Sequence, residues 1–407
     1  MKYGLIGEKL GHSFSKEIHE RLGYEYELCE LAPAELDSFM KAKDFVGINV
    51  TMPYKAAVIP YLDEIDEVAK EIGAVNVIIN RDGRLCGYNT DFYGMEKLFA
   101  HAEVDPYEKK VAVFGSGGTS RTATAVLKRL GASEIIHVSR SGEVSYDELY
   151  KSHSDVEIIV NTTPVGMFPN IFDRPVDISR FDKLSGVIDA VYNPLNTTMV
   201  IEAKERKIPA EAGLYMLVAQ AIRASELFLN ARYPSYMTDV IYDGIRAEKE
   251  NIVLIGMPSS GKSTVGKLLS EKLGEEFIDT DELITDRINM PVKDFFALYG
   301  EEKFREVETE VIREIAGRGG LVIATGGGAV LRRENLMNLR YNGNILFIDR
   351  PLNMLIPTDS RPLSSERMTL ENLYMTRYPI YNDACDSRIE ALGTPLEVAD
   401  NILENYL

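Results

Sequence analysis

A short apolar run, Ile252-Val-Leu-Ile255, passes straight into Gly256-Met-Pro-Ser-Ser-Gly261-Lys262-Ser263-Thr264, which opens a stretch of helical character. Few patterns restrict a fold so tightly. Glycines let backbone N–H groups converge on phosphate oxygens, and the N-terminus of the following helix adds partial positive charge. Lys262 contributes a full charge, and Ser263 a hydroxyl suited to Mg²⁺ bridging the β- and γ-phosphates. Gly256, Ser259, Ser260, Gly261, Ser263 and Thr264 are therefore the expected cradle for ATP. The pattern predicts a parallel-sheet α/β domain from about residue 251 to 407. A chance match in a glycine-rich turn is the competing reading, and the strand-to-helix context weighs against it.

A phosphate cradle does not name the acceptor, so the residues around it must. Phe277-Ile278-Asp279-Thr280-Asp281 sets two carboxylates two residues apart at the expected end of a second strand, where alternate side chains share a direction. One suits hydrated Mg²⁺ and the other an acceptor hydroxyl. Each also fits a solvated strand end or a helix cap. A third strand, Leu321-Val-Ile-Ala-Thr325, ends in Gly326-Gly-Gly328, which would let backbone approach a ligand or simply make a tight turn.

Upstream, Lys109-Lys-Val-Ala-Val-Phe114 reads as a strand, Gly115-Ser-Gly117-Gly118 as its turn and Ser120–Leu130 as the helix after it. That is the context a dinucleotide pyrophosphate needs, although a plain βα turn has the same outline. The next strand, Glu134–Val138, leads to Ser139 and Arg140, where an NAD site would carry an acid for the ribose hydroxyls. Arg140 suits a 2′-phosphate instead, which favours NADP(H). Phe45–Val50 and Ala74–Ile79 are expected buried strands, and strands at 134–138, 157–161 and 186–191 continue the alternation. Ser13 and Ser15 put two hydroxyls on one turn, as a ligand site or a local cap. Lys55 projects beyond one strand end and Asp91 follows another. In a cleft this pair could protonate the alkoxide formed when hydride adds to a ketone, whereas on a surface it is an ordinary ion pair.

Two ordered sets of motifs carry family resemblances. The segment from about 252 to 386 resembles shikimate kinase through the phosphate loop, Asp279-Thr-Asp281, Gly300-Glu-Glu-Lys-Phe304-Arg305 with Glu308, the triple glycine, Ser360-Arg361-Pro362-Leu363 and Arg377-Tyr-Pro-Ile-Tyr381. The resemblance implies Asp279 on the magnesium side, Asp281 on the phosphorylated hydroxyl, and Arg305, Arg377, Gly327 and Gly328 around the substrate. It makes Arg361 the lid arginine. Family members carry a further arginine before the lid that packs on adenine, and residues 351–360 have none. ATP is expected to serve with a weakened KM.

Residues 1–245 resemble shikimate dehydrogenase through Ser13-x-Ser15, Asn49-Val-Thr51-Met-Pro53-Tyr-Lys55, Gly73-Ala-Val-Asn76, Asn89-Thr-Asp91, the glycine turn, Asn161-Thr-Thr-Pro-Val-Gly166, Asp189-Ala-Val-Tyr192-Asn-Pro194 and Gly213-Leu-Tyr-Met216-Leu-Val-Ala-Gln220. By that resemblance Lys55 and Asp91 are the catalytic pair, and Ser13, Ser15, Thr51, Asn76, Tyr192 and Gln220 surround the substrate. Gly115, Gly117, Gly118, Ser139, Arg140 and Met216 would line the NADP site. The two resemblances imply successive reactions, because the product of one is the substrate of the other. The competing readings are an NAD-using quinate/shikimate dehydrogenase, a different small-molecule kinase, or one half that binds without turnover.

Composition narrows the setting. At roughly 100 to 200 residues per domain, 407 residues predict two or three domains. We expect a substrate-binding α/β domain at 1–101, to which helices at 214–245 return, a Rossmann NADP-binding domain at 102–213 and the P-loop domain at 251–407. The polar stretch 243–250 reads as a linker, which promises no fixed passage between sites. Sixty-three acidic against 45 basic residues give a net charge of -18, which repels polyanions, so small molecules and not nucleic acid are the expected partners. Three cysteines without C-x-x-C spacing, no apolar leader and no run of about 18 apolar residues point to a cytoplasmic enzyme with no membrane partner. Oligomeric state is not encoded in any of these features.

Overall fold

The computed structural model describes residues 1–11, 13–140, 142, 144–356 and 367–407. The chain forms two compact units, Met1–Arg246 and Ala247–Leu407. Three sheets account for the strands of these units.

The first sheet is mixed. It contains β1 (Tyr3–Gly7), β2 (Glu27–Glu30), β3 (Gly47–Val50), β4 (Glu64–Ile65), β5 (Val77–Arg81) and β6 (Arg84–Tyr88) in the order β2-β1-β3-β5-β6-β4. β5 runs antiparallel to β3 and β6, with Gly47 opposite Ile79 and Val77 opposite Tyr88. The second sheet is wholly parallel: β7 (Lys110–Phe114), β8 (Glu134–Val138), β9 (Ile158–Asn161), β10 (Gly186–Asp189) and β11 (Ala210–Glu211), ordered β11-β10-β9-β7-β8. Both faces are covered, so the strands read as unbroken apolar runs such as Ile158-Ile-Val160. The helices Asp91–His101, Gly118–Arg129, Leu214–Leu229 and Met237–Lys249 share one core, built from residues such as Leu98, Val126, Val218 and Ile245.

In the second unit β12 (Asn251–Ile255), β13 (Glu276–Asp279), β14 (Leu321–Ala324), β15 (Gly343–Asp349) and β16 (Ser387–Glu390) form a parallel sheet ordered β13-β14-β12-β15-β16. Separate apolar clusters fill its two faces, one around Val253, Ile323 and Phe347, the other around Leu254, Val322 and Leu346. Side chains of one strand point alternately to the two faces, which is why neighbours in sequence belong to different clusters.

Three local expectations are corrected. The strand expected at 74–79 occupies Val77–Arg81, and Asn76 just before it still bonds both flanking segments through its backbone, accepting from Val50 N at 2.8 Å and donating to the Tyr88 carbonyl at 3.1 Å. The polar stretch 243–250 is not a linker. It completes the helix Met237–Lys249, whose Ile241 and Ile245, one turn apart, are buried in the first unit's core. Asp279 and Asp281 do not alternate along one strand. β13 ends at Asp279, whose carboxylate caps the helix Thr280–Ile288 by accepting from the Asp281 N–H at 3.0 Å, and Asp281 lies in that helix's first turn. Among the described residues no helix is long and apolar enough to cross a membrane.

Candidate functional sites

Both sites lie at the carboxyl ends of parallel strands, where the connecting turns leave backbone groups free for ligands. In the first unit Lys55 Nζ donates to Asp91 Oδ2 at 2.6 Å, with the lysine side chain 19% and the aspartate 9% exposed. The other Asp91 oxygen accepts from Asn76 Nδ2 at 2.9 Å, and that amide also reaches Thr90 Oγ1 at 3.0 Å. Thr90 N donates back to Asn76 Oδ1 at 2.7 Å, and Thr90 Oγ1 lies 3.3 Å from Gln220 Oε1. Each carboxylate oxygen therefore has a fixed donor, and Lys55 has one defined direction. Gln220 arrives because the helix Asp91–His101 presses on Leu214–Leu229 at Gly94, where a Cβ would stand 2.6 Å from the Met216 carbonyl. Met216 is thus placed by backbone packing, with its side chain buried.

The glycine turn reaches the same place. A Cβ on Gly118 would lie 3.7 Å from Lys55 Cδ, and none would meet anything within 4 Å of Gly117. Gly115 has φ +117° and leaves only 2.6 Å between such a Cβ and Thr162 Oγ1, so the turn needs glycine there. This open cradle at the start of the helix Gly118–Arg129 fits a dinucleotide pyrophosphate. Ser139 and Arg140 follow β8 directly, and Arg140 is exposed.

Ser13 accepts from Ser15 N at 3.2 Å and its hydroxyl also bonds Tyr192, whose ring lies 5.3 Å from that of Phe14. Burial pushes the Tyr192 phenol up, and the Ser13 bond opposes it. Thr51 follows β3 with its methyl group toward Gly7, outside the Lys55–Asp91 hydrogen bonds. Ser15 is buried at the start of the helix Ser15–Arg21.

Asp189, at the end of β10, sets the loop that carries Tyr192. It is fully buried and accepts from Thr197 Oγ1 at 2.8 Å, Asn161 Nδ2 at 2.9 Å and Val191 N at 3.0 Å. Burial pushes its carboxyl up to about 7 from an ordinary 3.8, and the three donors only oppose that rise. The folded chain therefore keeps a proton that the unfolded chain releases near pH 4. Stability from this group is complete below about pH 4 and is lost as pH rises toward 7. Urea midpoints of Asp189→Asn are expected to fall less steeply than wild type across that window; parallel pH profiles would count against the assignment.

In the second unit Lys262 is buried and donates to the carbonyls of Gly256 and Met257, both at 2.9 Å. Ser263 Oγ donates to Asp279 Oδ2 at 2.6 Å, so hydroxyl and carboxylate already face one another where a divalent cation could be shared. Ser260 Oγ is buried without a hydrogen-bond partner, an orphan that an anion in the loop would satisfy. Ser259, at φ +66°, and Gly261, at φ +100°, give the loop its curl, and Thr264 is exposed on the first turn of the helix Lys262–Leu273. The donor set fits a nucleoside triphosphate with Mg²⁺.

The acceptor side lies across β14. Arg305 is buried and grips Glu308 through Nη1 at 2.8 and 3.0 Å, while its Nε is unpartnered. Burial pushes Glu308 up even though Arg305 pulls it down; burial likewise acts against the Arg305 charge, yet Glu308 and Glu301 hold its pKa above the usual range. Arg377 Nη1 donates to the Gly327 carbonyl at 3.0 Å, and Tyr381 Oη donates to the same oxygen. Gly327 therefore anchors an arginine through its carbonyl. A Cβ on Gly328 would stand 2.2 Å from Arg305 Nη2, and one on Gly326 2.5 Å from Asp281 Oδ1. Asp281, Arg305, Arg377 and the triple glycine are thus one cluster. Arg361, with the 360–363 segment, lies outside the described residues.

Comparison with known proteins fits this geometry. The chain is 36% identical over 270 residues to the shikimate dehydrogenase (NADP(+)) of Clostridium perfringens, covering 60% of this chain and 98% of the relative. The chain belongs to the shikimate dehydrogenase family. The family model of the shikimate dehydrogenase substrate-binding domain matches residues 5–78, and that of shikimate kinase matches residues 258–406. Among solved structures, shikimate dehydrogenase 1 of Peptoclostridium difficile matches at 35% identity and TM-score 0.56, covering 60% of this chain and 98% of its own. A chorismate mutase/shikimate 5-dehydrogenase fusion protein from Clostridium acetobutylicum matches at 36% and 0.56, with coverages of 60% and 96%. The shikimate dehydrogenase match thus accounts for the first part of the chain, and the remainder carries a shikimate kinase domain.

Sequence reasoning passed over three groups that complete these sites. Thr90 and Asp189 sit inside recognised motifs, but their work is done through hydrogen bonds to residues far away in sequence. Tyr381 is fully buried, with its phenol pushed up to about 12 by burial. Its spacing from Arg377, one helical turn, was the available signal.

Proposed function

We propose that the protein is bifunctional: it reduces 3-dehydroshikimate to shikimate with NADPH, then phosphorylates the 3-hydroxyl so formed with ATP. The observation that carries this reading is the Lys55–Asp91 pair, held at 2.6 Å beside the glycine turn, in one chain with the Ser263–Asp279 phosphate cradle and the Arg305–Arg377 cluster.

NADPH, when bound on the glycine turn, supplies the hydride. Lys55 is then the proton donor to the developing alkoxide, and Asp91 keeps that side chain aimed. Ser13, Ser15, Thr51, Asn76, Tyr192 and Gln220 hold the hydroxyls and carboxylate, and Ser139, Arg140 and Met216 flank the cofactor. In the second reaction Asp281 orients the acceptor hydroxyl, while Arg305 and Arg377 hold the substrate carboxylate in bidentate fashion. Mg²⁺, when bound through Ser263 and Asp279, offsets phosphate charge. Lys262 neutralises charge on the transferred group. This reading divides the chemistry among a substrate domain (1–101 with 214–245), an NADP domain (102–213) and a kinase domain (251–407).

The test is a coupled assay on the purified full chain, following NADPH loss from 3-dehydroshikimate and shikimate 3-phosphate formation with and without ATP. Phosphate ester should appear only with ATP. NADPH loss without any ATP-dependent product would reduce the second unit to a binding module. Gly328→Ala tests the acceptor side, because its methyl must displace the Arg305 guanidinium. We expect the KM for shikimate to rise about tenfold, within the range of overpacking costs, while the KM for ATP changes little.

A further inference from the structure

β15 runs beside the phosphate-loop strand, with Phe347 opposite Ile255, and its end packs on the loop itself: a Cβ on Gly256 would stand 2.8 Å from the Ile348 carbonyl. Two residues further on is Arg350. Its Nη1 lies 3.7 Å from where a Cβ on Gly261 would be, immediately before Lys262. Arg350 is half-buried, and among the described residues it has neither a hydrogen bond nor an ion pair. Its neighbour Asp349 pairs elsewhere, its Oδ2 lying 2.8 Å from Arg388 Nε and accepting from Tyr378 Oη at 3.0 Å. A half-buried guanidinium left uncommitted against a phosphate cradle is available to pair with an anion bound in the loop.

The sheet order says which part of the ligand it meets. Asp279, Asp281, Arg305 and the triple glycine all belong to the β13–β14 side of the loop, where the acceptor and the transferred phosphate must lie. The remaining strand ends, β15 and β16, are left for the nucleoside side. We propose that Arg350 is a nucleotide-positioning residue of the kinase half that binds the α,β-diphosphate shared by ATP and ADP. Residues 351–356 offer no other cation for the task. A planar fork beside backbone donors suits a diphosphate better than a lysine would.

This inference rests on the kinase reading, and the experiment separates the two. MgADP binding to the full chain is measured by calorimetry for wild type, Arg350→Ala and Arg350→Lys, alongside kinase kinetics and nucleotide-free thermal unfolding. Arg350→Ala should weaken MgADP about tenfold or more, the scale of one lost charge-assisted pair, and raise the KM for ATP in parallel. kcat, the KM for shikimate and the nucleotide-free melting temperature should hold, with lysine restoring part of the affinity. Unchanged MgADP affinity in Arg350→Ala, alongside a wild type that phosphorylates shikimate, overturns this inference alone. A fall in kcat at constant affinity would move Arg350 to the transferred phosphate and also overturn it. Wild type that neither binds MgADP nor phosphorylates shikimate overturns both readings.

Discussion

Replacing Lys55 with alanine is expected to lower kcat for reduction of 3-dehydroshikimate by about 10²–10⁴-fold, the range over which a positioned acid contributes. Hydride addition to a ketone leaves an alkoxide that needs a proton or a fixed positive charge, and Lys55 is the ammonium aimed by Asp91 at 2.6 Å. Asp91 in turn is held by Asn76 at 2.9 Å, which fixes the carboxylate that aims the lysine. The KM for the ketone should move far less than kcat, because Ser13, Tyr192 and Gln220 are left in place. Lys55→Met, which keeps the aliphatic stem but not the charge, should behave like alanine; this guards against a trivial packing defect. Phosphorylation of added shikimate should be unchanged in both variants. A Lys55→Ala protein retaining a tenth of the wild-type reduction rate would remove the residue from the chemistry.

The second large effect is expected at Lys262. Its ammonium is held by the Gly256 and Met257 carbonyls, both at 2.9 Å, so the charge is already fixed within the loop that would cradle the phosphates. Lys262→Ala should reduce kcat for phosphorylation by about 10²–10³-fold or more, as removal of a preorganised electrostatic donor does elsewhere, and weaken ATP as well. Reduction of 3-dehydroshikimate should continue at the wild-type rate. The two variants together form a cross: each silences one reaction and spares the other. Loss of both activities in either variant would contradict independent sites.

The sequence announced the parallel sheets because both faces of each strand are buried and apolar runs such as Val111–Phe114 and Ile252–Ile255 carry that fact directly. It announced the phosphate and dinucleotide turns because their chemistry needs glycine at fixed offsets. It did not announce what depends on side chains meeting across the fold. Asp279 and Asp281 were expected to share a strand face, yet a helix begins between them, and Asp279 itself is the cap that starts it. Arg350 bears no motif, and only its distance to Gly261 singles it out. Asn76 was visible as a motif residue but not as the hub that fastens Asp91, Thr90 and Gln220.

The helix Met237–Lys249 has a practical consequence. The division between the two compact units falls at Arg246 and Ala247, inside this helix and not in a loop. Proteases cut extended, accessible backbone, so limited digestion is not expected to release the halves at this seam, even though its composition looks cleavable. Truncation faces the same difficulty. The Gly320 N–H is capped by the Lys249 carbonyl at 3.2 Å, so a fragment begun at the first strand of the second unit would leave that amide unpaired. Cutting earlier would sever a helix whose Ile245 is fully buried in the first unit. Intact chains with single-residue lesions, and not excised halves, are the reagents on which the two reactions can be compared.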